Sequence, residues 1–186
     1  WDKIMKLAEV DLSEHYSATV EDSRTLFTIA ALTGRRWEEV LGITSTNFYE
    51  DKNGKWKYKN IAKGQKTIDI HLLPEAVKYL DGIGLLPKKG RHVTAVPQLT
   101  NQHVNRDIKL ICKALKFDDL IQVITPISKS ETDKQNKFEW ETVHFHTARH
   151  SYAIHLVDIS EGMPNREKWV AKMLGHASFQ TTWKYI

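Results

Sequence analysis

Five of the nine histidines fall between residues 144 and 176: His144, His146, His150, His155 and His176. His146 and His150 stand four apart, on one face of a helix at a spacing that zinc ligands use. Yet there is no HExxH pattern, a single cysteine, and no third ligand at a usual interval, so metal hydrolysis is the weaker reading. The arginines suggest other chemistry. Arg36 sits in a TGRR turn where Gly34 lets the backbone bend, and Arg149 shares a helical face with His146 three residues before it. Two guanidiniums converging from distant parts of the chain make a planar, multi-donor clamp for phosphate oxygens. Near the end, LGHASFQTTWKYI sets Tyr185 nine positions after His176. A phenol, two arginines, imidazoles and a lysine from a basic hairpin meet the demands of phosphodiester cleavage.

These residues need elements to hold them. Residues 1–16 read as a short helix and connector. From Val20 to Gly42, Leu26, Ile29, Ala30, Leu32, Val40 and Leu41 recur at helical spacing, with Gly34 breaking the run. DKNGKWKYKNIAKGQKTIDIHL holds two strand-like runs joined through AKGQK, with a tight turn at Asn53–Gly54. Pro74 opens a helix, and Thr100 or Asn101 caps one whose stripe is Val104, Ile108, Ile111, Cys112 and Leu115. VITPIS and KFEWETV read as strands around a polar turn. A helix runs from His146 through TARHSYAIHLVD, REKWVAKML forms another ended by Gly175, and a last short helix is expected from about Ser178. The fold class expected is α+β: a mainly helical single domain with a small antiparallel β-hairpin or sheet.

Composition sets outer limits. With 186 residues, 41% of them hydrophobic, the chain suits one well-packed domain. No apolar run reaches the length of a membrane span, and no charged-then-apolar leader begins at Trp1. Cys112 cannot pair within the chain and falls on an apolar helical face, which fits a reducing cytoplasm and a core role. The net charge of +4 is unevenly spread: residues 1–50 carry nine acids against five Lys/Arg, and residues 51–186 carry 14 against 22. Six lysines and no acid lie within residues 52–66, a surface suited to a polyanion and equally to a solvated hairpin. Lys52, Lys55, Lys57, Lys59 and Lys66, with Arg106 and Lys109 on the 101–116 helix, are the candidate DNA-phosphate contacts.

Taken in order, TGRRWEEVLGI, AKGQK, HTARHSYAIHL and LGHASFQTTWKY resemble the catalytic domain of the tyrosine recombinases, the phage integrase family, over about residues 20–186. The likeness extends to integrases of Bacteroides-type mobile elements. The resemblance implies the tyrosine-recombinase catalytic fold and a site of Arg36, Lys63, His146, Arg149, His176 and Tyr185, with Glu39 as supporting acid and Lys66 as reserve for Lys63. It implies a C-terminal catalytic domain over 1–186, with an N-terminal core-binding domain and a C-terminal tail absent. Its partner is double-stranded DNA, on which the full-length protein forms a tetramer. No cofactor, metal or membrane is required, and the place of action is the bacterial cytoplasm, at the nucleoid.

The implied reaction is site-specific recombination. Tyr185 attacks the phosphorus, giving a 3′-phosphotyrosyl link and a free 5′-hydroxyl. The arginines and histidines hold the phosphate oxygens, and His146 is also a candidate to take the phenol proton. Lys63 protonates the leaving oxygen. The rival readings are a type IB topoisomerase or telomere resolvase, and a non-catalytic DNA-binding accessory module derived from a recombinase. The first would carry a different residue at His146; the second has no physical need of all six site residues.

Overall fold

The computed structural model describes residues 1–12, 16–61, 67–90, 92–126 and 132–176. Among them the architecture is mainly helical with two small antiparallel sheets. Helix α1 (Asp2–Glu9) lies on α2 (Ala18–Thr33), which forms the axis of the molecule. Leu26, Phe27, Ile29, Ala30, Ala31 and Leu32 of α2 are all buried, so it is apolar around its circumference, as a helix enclosed by others must be. Its neighbours are α4 (Pro74–Gly82), α5 (Asn101–Ala114) and α7 (Phe145–Ile159).

Gly34 stops α2 in the left-handed region, φ 67°, with its N–H on Ala30 O at 2.8 Å. A Cβ there would stand 2.3 Å from the Tyr152 ring of α7, so close approach as well as backbone sign requires glycine. The short α3 (Trp37–Leu41) follows at once, capped by the Glu39 carboxylate on the Arg36 N–H at 2.9 Å. A single 3-10 turn at Ser45–Asn47 leads into β1 (Phe48–Glu50), β2 (Trp56–Ile61) and β3 (Thr67–His71). They pair antiparallel in that order, with Tyr49 opposite Lys57 and Lys59 opposite Asp69. β1 is an addition to the two strands expected. It has three residues, too few for alternation to register, and the Asn53–Gly54 turn joins it to β2.

The expected helices form at Pro74 and after the Thr100 cap, whose Oγ1 accepts the His103 N–H at 3.3 Å. Between residues 118 and 142 the structure differs from expectation. β4 (Leu120–Pro126) pairs with β5 (Thr132–Phe138), which is the polar run TDKQNKF, and EWET is instead α6 (Glu139–Thr142). The Glu141 carboxylate caps α6 by accepting the Phe138 N–H at 2.8 Å. β5 is almost wholly exposed, so backbone pairing to β4 defines it without an apolar face to mark it. Finally α8 (Arg166–Leu174) packs on α7 and reaches β3, ending at Gly175 with φ 67°. No described helix is long and apolar enough to cross a membrane.

Candidate phosphodiester-cleavage site

Four chain segments meet at one cleft of about 780 Å³: the turn after α2 with the head of α3, the end of β2, the start of α5 and the first turn of α7. Arg36, Glu39, His146 and Arg149 all line it, as do Asn60, Asn101, Asn105 and His144. Arg36 is half-exposed and leans on Glu39, Nη1 to Oε1 at 3.4 Å. One carboxylate thus caps the α3 backbone and orients the guanidinium.

Arg149 is buried, 2% exposed, and its guanidinium bridges two main-chain carbonyls. Nη1 donates to Gly34 O, and Nη2 donates to Leu174 O at 2.9 Å. Those oxygens belong to the C-terminal ends of α2 and α8, where helix carbonyls lack partners within the helix and the dipole favours cations. Arg149 therefore locks α7 to both ends while presenting an edge to the cleft.

His176 directly follows Gly175, and its N–H bonds back to Ala171 O at 2.9 Å. It is 8% exposed. Burial pushes its imidazole down to about 4, with Arg149, Arg36 and Arg35 adding repulsion. His146 is lowered by the same causes, burial first, then His150, Arg149, His144 and Arg36. The His146 and His150 rings meet edge-on at 4.6 Å, and His150 is lowered too, chiefly by burial. Among the described residues no group of three or more His, Cys, Asp or Glu is arranged to hold a metal ion.

Several contributors escaped sequence reasoning. His144 caps α7, its Nδ1 accepting the Thr147 N–H at 3.2 Å. Asn105 Oδ1 accepts the Phe145 N–H at 2.6 Å, seating the first turn of α7 on α5. Asn105 Nδ2 donates to Asn101 Oδ1 at 2.6 Å, and the i,i+4 asparagine pair was the available signal. The Phe145 ring stands perpendicular to Trp37 at 4.8 Å, tying the heads of α3 and α7. Arg35, neighbour of Arg36, is fully buried in the wall of the cleft.

The basic residues are spread over two elements. Lys52, Lys55 and Lys59 are exposed on the β1–β2 turn and β2, whose far end carries Asn60 into the cleft. Lys57 is held by Asp69 at 3.3 Å and lies over the Tyr49 ring. Arg106 is exposed and pairs with the buried Asp107 at 2.9 Å, while Lys109 is half-buried on α5. Lys63, Lys66, Tyr185 and the helix expected from Ser178 lie outside the described residues.

The model of the phage integrase family matches residues 2–186. The chain belongs to the phage integrase family. Solved structures agree in fold with this family member. A XerH site-specific recombinase bound to difH substrate in a pre-cleavage complex is 20% identical, with a TM-score of 0.62 over 100% of this chain and 48% of that one. XerA recombinase is 17% identical at a TM-score of 0.55, over 99% of this chain and 57% of its own. The Tn1549 transposon integrase with circular intermediate DNA is 14% identical at 0.54, over 99% and 57%. The integrase-family chain thus spans about half the length of these solved relatives. No curated protein matches it.

Proposed function

We propose that residues 1–186 are the strand-cleaving and strand-joining domain of a site-specific DNA recombinase, acting through a 3′-phosphotyrosyl intermediate. One observation carries this reading: Arg36, His146 and Arg149 meet in one cleft, with His176 beside them. Charge grows on the non-bridging phosphate oxygens as phosphorus is attacked, so fixed donors aimed at them are the main catalytic lever. Arg36 and Arg149 supply that clamp. Arg149 needs no reorganisation, since two carbonyls already hold it. His146 and His176 are neutral at pH 7 by their lowered affinities for protons, so each donates one N–H, and His146 can also accept a proton.

Tyr185 is the nucleophile in this reading. A free phenol holds its proton to about pH 10, so attack needs the cationic cleft and a base to take that proton. The phosphorus–O5′ bond breaks as the phosphorus–phenol oxygen bond forms. Lys63 gives its proton to O5′, with Lys66 as the reserve. The covalent link conserves the bond energy, so a second 5′-hydroxyl reverses the step on a new strand without nucleotide or metal. XerH recombinase bound to its difH substrate and Tn1549 integrase bound to circular intermediate DNA support DNA as the partner. A tetramer on DNA is the assembly the exchange requires.

The test mixes the protein with supercoiled DNA carrying its own element's ends, in chelator, and quenches with detergent. Covalent protein–DNA adduct in the parent and none in Tyr185→Phe, at unchanged DNA affinity, is the expected result. DNA bound without adduct by either protein would turn the reading toward an accessory DNA-binding module.

A further inference from the structure

We infer that Arg35 is a positioning residue for His176: its buried guanidinium fixes the end of α8, at Met173 and beside Gly175, against the turn that carries Arg36. This deepens the cleavage reading above and rests on it. Arg35 is 0% exposed, yet no carboxylate pairs with it among the described residues. Its Nε donates to Thr33 O at 3.0 Å and its Nη2 to Met173 O at 2.6 Å. Tyr58 offers a ring face 5.7 Å from the guanidinium carbon. Nη1 has no hydrogen-bond partner and is buried. It lies 3.3 Å from where a Gly175 side chain would begin, one residue before His176.

Among the described residues Glu39 is the one carboxylate that acts on Arg35, through space and while it holds Arg36, so burial still disfavours the Arg35 charge, and apolar residues of similar volume are often as stable or more so. Structure alone therefore does not account for a charge here. Position does. Arg35 and Arg149 grip the successive carbonyls of Met173 and Leu174, so the TGRR turn and α8 cannot slide past one another. Arg149 on α7, Arg36 at the head of α3 and Arg35 in the turn are positive groups that oppose a charge on His176. Arg35 opposes it from inside, where solvent cannot screen it.

Three variants test this: Arg35→Met, Arg35→Gln and Arg35→Lys. The first readout is the His176 titration in the chain alone, followed by nitrogen-resolved histidine NMR. Loss of an opposing charge raises the midpoint in Arg35→Met by about half a pH unit or more, and Arg35→Lys restores it. The second readout is the adduct assay above. Arg35→Met, which takes the donors from Thr33 O and Met173 O, is expected to fold with a lowered melting point, bind DNA within about twofold, and form adduct about 30-fold slower or worse, with Arg35→Lys recovering most of the loss. An unmoved midpoint, or adduct formation at the parent rate, overturns the inference. If Arg35→Met does not fold, Arg35→Gln decides by the same two readouts, since its neutral amide can still donate to Met173 O. If neither folds, Arg35 is scaffold and the inference fails. A parent that leaves no adduct sinks the cleavage reading, and the NMR arm then judges Arg35 alone.

Discussion

At the scale of single residues, the cleft is organised by groups that prefer to be neutral beside groups that cannot be. His146 and His176 are both held below the ordinary 6.5, first by burial and then by the surrounding arginines. The sign follows directly. As pH falls below 6.5, the unfolded chain binds protons that the folded chain refuses, so stability falls until His176 protonates near about 4. The urea midpoint is therefore expected to drop steadily between those limits. Asp51 and Asp69 sit below their ordinary 3.8, so their contribution is lost lower still and does not mask the effect. Replacing His176 with Asn should flatten the curve most in its lower part, toward pH 4, where His176 alone reaches, and leave the upper part to His146 and His150. A parent midpoint constant from 6.5 to 4 would mean that these imidazoles are more solvated than the structure has them. Arg36, His146 and Arg149 were legible from the sequence because their spacings put donors on one helical face and after one glycine. Arg35 was not: a doublet of arginines does not reveal which member turns inward, and only the packing of Tyr58, Met173 and Gly175 decides it.

At the scale of elements, what could be read was whatever buries a stripe. α2 and α5 announced themselves through apolar residues at helical spacing, and α4 and α5 through their caps. β5 buries nothing and was placed wrongly, because period-two alternation exists only where one face is covered. The same exposure gives a prediction. The β4–β5 ribbon packs on little besides α6, and Leu120, Ile121, Ile124 and Phe138 are exposed on it. Its base is already closed: the Glu139 N–H donates to Asp119 O at 2.8 Å, and Lys3 pairs with both carboxylates. An isolated two-stranded ribbon is marginal in water, so it contributes little to the core it leaves. Replacing residues 120–138 with Asn-Gly should change unfolding free energy by about 1 kcal/mol or less and raise solubility. Denaturant melts would check this, and a loss of several kcal/mol would show the ribbon to be part of the folding unit.

At the scale of the whole molecule, the sequence holds its positive charge after residue 50, and the structure sorts that charge into committed and available groups. Lys57 is committed to Asp69, and Arg106 to Asp107, whose other oxygen accepts from Ser23. Lys52, Lys55 and Lys59 are exposed around β2, the strand that delivers Asn60 to the cleft. Phosphate contacts release counterions, so each one steepens the fall of log affinity with log salt by about 0.9. If β2 lies along the DNA backbone, the triple variant Lys52→Ala, Lys55→Ala, Lys59→Ala should flatten that slope by up to about 3. Lys57→Ala, which frees Asp69 as well as removing a cation, should weaken binding at low salt with a smaller change of slope. Titrations of duplex DNA between low and physiological salt separate the two. A triple variant with the parental slope would move the DNA off this sheet and toward α5, where the Asn101–Asn105 pair lines the same cleft and Lys109 follows one turn along the helix.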